Sequence, residues 1–239
     1  MKIGTLQSRY IMQKRERAVY RQWLFVFLGW ILCYPSHSSA LELDVLIDRI
    51  QERYDHTHAL TADFVQVATL TSIDRQQRSA GRVYIEKPHY IRWEYVQPDS
   101  QTILYDGKTL RIYTPKQRQI LQSTIEEEDR GNVALLFLAG MGKLHETFIV
   151  SPLSSQDAKV MSLRLLPRSS QASFTELHIL VNLESYFVEQ LSIYDTIGNL
   201  SEIHLDSLKV HPELPSKTFE LIIPPNTEVL TPTDFTGRR

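Results

Sequence analysis

Residues 81–98 read GRVYIEKPHYIRWEYVQP, and the alternation inside this stretch decides the fold. Successive side chains of a strand point to opposite faces, so Ile91, Trp93 and Tyr95 share one face while Arg92 and Glu94 share the other. Val83, Ile85 and Lys87 line one side of the preceding segment. Lys87-Pro88-His89 and Gln97-Pro98-Asp99 are turn signals, spaced too closely for a crossover helix to fit between strands. The pattern predicts antiparallel hairpins with one apolar, aromatic-rich face.

Working outward, similar segments occupy 61–70, 102–105, 109–113 and 118–122, separated by Asp106-Gly107-Lys108 and Thr114-Pro115-Lys116. They resume at 147–150, 160–166, 175–182, 187–194, 202–210 and 219–223. A mainly β (α+β) chain follows, with about ten to twelve strands in one curved antiparallel sheet or barrel. Two segments break the alternation. Over 41–54 the apolar positions Leu43, Leu46, Ile47, Ile50 and Tyr54 recur every three or four residues, which predicts an amphipathic helix that covers the sheet. Residues 132–142, NVALLFLAGMG, read as a short apolar helix with Asn132 as N-cap and the acidic run 126–129 before its positive end; a buried core strand is the alternative.

The first forty residues differ in composition from the rest. Lys2, Arg9, Lys14, Arg15, Arg17 and Arg21 face one acid, Glu16, and are followed by the uncharged run WLFVFLGWIL at 23–32 and by Ser38-Ser39-Ala40. This is the order of a cleavable secretory signal, expected over 1–40. A membrane span needs ~20 apolar residues, and this run breaks at Pro35 and His37. A start at Met12 would bring the leader to 29 residues, within the usual range. Leu32 before Cys33 does not suit lipid attachment, so Cys33 is expected to leave with the leader. One domain is then expected over 41–239, with 20 basic and 27 acidic side chains, a formal charge of −7 and no cysteine. That composition excludes disulfides, thiolate catalysis and Cys-ligated zinc, offers no basic patch to nucleic acid, and suits an oxidising periplasm.

Motifs for chemistry are sparse. His56-Thr57-His58 is the closest histidine pair, but it has neither a HExxH spacing nor a carboxylate cluster beside it. There is no G-x-S-x-G elbow, and Gly140-Met141-Gly142 is not a phosphate loop. Neither catalytic residues nor a metal or cofactor is expected. The aromatic face remains as the candidate feature: either an ordinary core or the wall of a greasy pocket with a movable lid.

On these residues the chain resembles the LolA family, periplasmic carriers of outer-membrane lipoproteins. The matching pieces are Phe64-Val65-Gln66, residues 81–93, Tyr95-Val96-Gln97-Pro98, residues 105–110, Tyr113, Gly131-Asn132 and the closing FELIIPPNTEV at 219–229. The resemblance implies an incomplete antiparallel β-barrel covered by helices. Its acyl-binding cavity would be lined by Phe64, Val83, Ile85, Ile91, Trp93, Tyr95, Ile103, Leu110 and Ile112. Val133, Leu135, Leu136, Phe137 and Leu138 would form its lid.

Three positions depart from the family pattern. Lys87 stands where an arginine often latches the lid, so the lid latch would rest on an ammonium instead of a five-donor fork, reaching carbonyls near Ala139 and Gly140. Ala134 replaces a proline, and Asn226 a glycine. The implied partners are triacylated lipoproteins, an inner-membrane ABC exporter and an outer-membrane receptor, served by a monomer without cofactor. An envelope-stress or lipid-sensing domain of the same half-barrel is the alternative, and would normally carry a second domain. A lipid-modifying hydrolase lacks its nucleophile motif.

Overall fold

The computed structural model describes residues 38–125, 143–153, 157–170 and 172–231; the expected lid helix and nearly all of the expected leader lie outside them. The chain divides into two units, Met1–Glu42 and Leu43–Arg239. Of the first, only the opening of helix α1 (Ser38–Asp55) is described, and it includes Ser38-Ser39-Ala40.

Within the second unit α1 buries Leu46, Ile47, Ile50 and Tyr54, the face its periodicity foretold. Each such apolar side chain contributes about 1.5–3 kcal/mol. The last carbonyls of a helix have no intrahelical donor. Here Thr57 Oγ1 donates to Arg53 O at 2.8 Å, His56 Nδ1 lies 2.8 Å from Glu52 O, and the Lys87 ammonium donates to Tyr54 O.

The strands are β1 (Ala59–Leu70), β2 (Arg75–Glu86), β3 (Tyr90–Gln97), β4 (Gln101–Tyr105), β5 (Thr109–Thr114), β6 (Gln119–Thr124), β7 (Phe148–Pro152), β8 (Val160–Pro167), β9 (Phe174–Asn182), β10 (Val188–Asp195), β11 (Leu200–His211) and β12 (Glu228–Leu230). A short helix, α2 (Leu144–Thr147), precedes β7. They form one sheet in the order β12-β6-β5-β4-β3-β2-β1-β11-β10-β9-β8-β7, with β12 and β7 as its open edges. The mainly β, unclosed barrel is thus observed, held together by β1, which pairs with β2 on one side and β11 on the other.

Two expectations need correction. The sheet is not wholly antiparallel, because β12 runs parallel to β6. Residues 219–223 are not a strand: after a 3₁₀ turn (Ser216–Phe219) the chain crosses the outer face. There the Arg92 guanidinium binds the carbonyls of Thr218 and Glu220 at 3.2 and 2.9 Å, and Tyr90 stacks on Phe219 at 5.1 Å. Those carbonyls are bonded to a side chain instead of a ladder, and Pro224-Pro225 then remove two N–H donors.

On the other half of the sheet, β10–β11 pairing runs only from Gln190↔His204 to Tyr194↔Leu200. Beyond it the strands part around a cleft of about 610 Å³, bounded by Phe187, Leu205, Leu208 and Arg53 of α1.

Candidate functional site

Register shows what the sheet presents to α1. Ala62, Val83, Trp93, Ile103, Ile112 and Leu121 are successive cross-strand partners from β1 to β6, a row of apolar side chains on one face. A second row runs Leu60, Ile85, Ile91, Tyr105 and Leu110. On the far side of β1, Ile203, Leu191, Ile179 and Leu163 form a third row, which meets β1 at Gln66. Apart from Ile112 and the exposed Leu121, they make one apolar cluster with Leu46, Ile47, Ile50 and Tyr54 of α1.

The nine expected cavity residues all fall on this inward face. Phe64, Val83, Ile85, Ile91 and Trp93 are buried, Ile91 being 2% and Trp93 1% exposed, while Tyr95, Ile103, Leu110 and Ile112 are half-buried. An aromatic floor forms where Phe64 tilts on Trp93 at 4.7 Å and meets Tyr95 edge-on at 5.0 Å. The floor depends on Gly81, opposite both Phe64 and Tyr95, where an added Cβ would lie 1.7 Å from Glu94 O and 2.8 Å from Phe64 Cε1. Sequence alternation missed Gly81, as it missed Tyr105, which is buried with its hydroxyl donating to Gly107 O at 2.7 Å. Gln66, quoted in a motif but given no role, accepts from the Tyr95 hydroxyl at 2.7 Å and donates to Ser201 Oγ at 2.5 Å.

The electrostatics of the face follow from burial. Desolvation pushes the Tyr95 phenol up to about 12, with the nearby Trp93 indole opposing the rise. That indole N–H nevertheless has no acceptor in hydrogen-bond geometry among the described residues. Burial likewise raises Tyr54 to about 12 against a bond from Val188 N–H at 3.2 Å to its hydroxyl. Tyr54 also meets Phe187 edge-on at 5.5 Å, and the Arg53 guanidinium sits 4.5 Å over the same ring, so α1 is pinned at the β9–β10 turn.

The expected latch has a different described partner. Lys87 is half-buried, its pKa lowered by desolvation and partly restored by Asp55, and its ammonium holds the carbonyl of Tyr54 at the end of α1. The lid residues Val133, Leu135, Leu136, Phe137 and Leu138, and the carbonyls near Ala139 and Gly140, lie outside the described residues. Among the described residues no group of three His, Cys, Asp or Glu side chains is placed to hold a metal, and no helix is long and apolar enough to cross a membrane.

An unclosed sheet with a helix laid on a continuous apolar, aromatic face is a half-barrel architecture. Within that architecture the chain belongs to the LolA family: the model of the outer membrane lipoprotein carrier protein LolA matches residues 55–222. The chain is 26% identical over 182 residues to an outer-membrane lipoprotein carrier protein of Legionella pneumophila (strain Corby), covering 76% of this chain and 87% of that one. Its counterpart in Azotobacter vinelandii is 24% identical over 184 residues, covering 77% and 87%. Among solved structures, an uncharacterized conserved protein from Thermus thermophilus shares the fold at a TM-score of 0.51 and 13% identity, covering 80% of this chain and 99% of that one.

Proposed function

We propose that the protein is a periplasmic carrier that shields the acyl chains of triacylated lipoproteins against its inward face. It would take them from an inner-membrane ABC exporter and deliver them to an outer-membrane receptor, as a monomer and without cofactor or catalysis. The observation that carries this reading is the pair of apolar rows running across β1–β5, with the Phe64–Trp93–Tyr95 floor along the edge of the first. Family membership supports it.

The physics asks for such a face. Each CH₂ kept from water is worth ~0.8 kcal/mol, so several acyl chains cannot cross an aqueous compartment uncovered. Without ATP at the site, direction comes from differential affinity: the exporter loads, and an acceptor that binds the chains more tightly unloads. In this reading the segment 133–138 is the lid and Lys87, whose ammonium holds Tyr54 O at the end of α1, is its latch. Gentle extraction followed by mass spectrometry tests the cargo: triacylated N-terminal peptides should co-purify, whereas phospholipid alone, or nothing, contradicts the reading.

A further inference from the structure

Along the strands from β1 to β5 the inward face changes chemistry on a stepped line. On β1 the inward series Ala62, Phe64 gives way to Gln66; on β4 Ile103 gives way to Gln101, and on β5 Ile112 gives way to Thr114. Each step is two residues, about 6.7 Å. Phe64, Gly81, Tyr95 and Gln101 are cross-strand partners, so the polar band begins within that row on β4 and one row further along on β1, where Gln66 faces Ser79.

A cavity of about 340 Å³ opens on that band, bounded by Gln66, Tyr95, Gln101 and Thr114. The amides there are only half used. Gln66 Nε2 donates to Ser201 Oγ and Gln101 Nε2 to Thr114 Oγ1 at 3.2 Å, so each amide has a second N–H with no partner among the described residues. Just below, Trp93 holds its buried indole N–H without an acceptor among them. Buried donors without partners are rare, and hydrocarbon cannot satisfy one. An ester or amide carbonyl attached to an acyl chain can.

We infer that this boundary is a head-group subsite. Acyl chains lie over the apolar rows, Trp93 Nε1–H donates to the first carbonyl of the chain, and Gln66, Tyr95 and Gln101 hold the polar linkage above it. The ligand class is therefore acyl esters or amides of a polar head, as opposed to bare hydrocarbon. The inference rests on the acyl-carrier reading and adds to it a rule for depth and orientation.

The test is nuclear magnetic resonance of the full chain labelled with ¹⁵N-tryptophan. It has three tryptophans, Trp23, Trp30 and Trp93, and Trp93→Phe assigns the indole signal of interest. The probes are 1-monolauroylglycerol below its micelle concentration and dodecane, which has the same chain length and no carbonyl. Both should perturb the inward face, but only the glyceride should move the Trp93 indole proton downfield. Gln66→Leu should weaken glyceride binding about five- to tenfold, the worth of one hydrogen bond, and leave dodecane unchanged. If both probes bind, the indole shifts alike with each and Gln66→Leu affects neither, the subsite is refuted while the apolar face stands. Failure of both probes to bind would overturn the acyl-carrier reading as well.

Discussion

Gly81→Ala should destabilise the protein out of proportion to one methyl group. The new Cβ would sit 1.7 Å from Glu94 O, 2.8 Å from Glu94 C and 2.8 Å from Phe64 Cε1. A carbon beside a carbonyl oxygen needs roughly 3.3 Å, so β3 must retreat by roughly 1.6 Å. The retreat occurs where Gly81 pairs with Tyr95, beside the register shift between Ala80 and Gly81. Overpacking a fitted site costs about 1–3 kcal/mol and a spoiled ladder hydrogen bond about 1 more, giving about 3 kcal/mol. For a domain of this size that is a loss of roughly 6–12 °C in Tm.

Heat and urea unfolding followed by far-ultraviolet circular dichroism would measure it. Because the closest contact is with backbone, trimming the ring as Phe64→Leu in the same chain should not restore the loss. A Gly81→Ala variant within about 0.5 kcal/mol of the parent, or full rescue by Phe64→Leu, would refute the described approach of β2, β3 and the aromatic floor.

Ile112→Glu places a carboxylate on the inward face at a half-buried position, so the fold should survive while binding of a fluorescent fatty-acyl probe falls at least tenfold; unchanged affinity would remove this row from the binding face. Tyr54 ionises near 12 in the fold and near 10 when unfolded. The unfolded chain therefore loses that proton first, and stability should fall by about 1.4 kcal/mol per unit between pH 10 and 12. Tyr54→Phe should flatten the slope by that amount, and an unaltered slope in urea melts across this range would count against a buried phenol. Lys87→Met removes the donor to Tyr54 O and should cost about 1 kcal/mol, after allowance for its half-exposed setting, whereas Lys87→Arg should keep most of that stability. Equal melting temperatures in all three chains would mean the cap contributes nothing.

The hairpin at 81–98 was legible because its alternation survives intact: the inward Val83, Ile85, Ile91 and Trp93 are all buried. Helix α1 was legible for the corresponding reason at the helical period. What stayed hidden was non-local. No local pattern announces that β1 and β11 pair across more than a hundred residues, or that β10 and β11 part below Gln190.

The stretch RQQRSA at 75–80 belongs to β2, although its polar side chains gave no alternation to read. At 219–223 the alternation misled, because a guanidinium and not a strand took up the carbonyls. Lys87 was placed on the inward side by parity, yet its partner at Tyr54 could be learned only from where α1 ends. Gly81 and Gln66 act through contacts that single-strand periodicity does not encode.

Release of newly made lipoproteins from spheroplasts tests the carrier function most directly. Adding the protein to spheroplasts that hold outer-membrane-directed lipoproteins at the inner membrane should bring those lipoproteins into the supernatant as one-to-one soluble complexes, and the Ile112→Glu chain should release far fewer. Lipoproteins that stay on the spheroplasts when the folded parent protein is present would contradict the assignment of the inward face as their carrier.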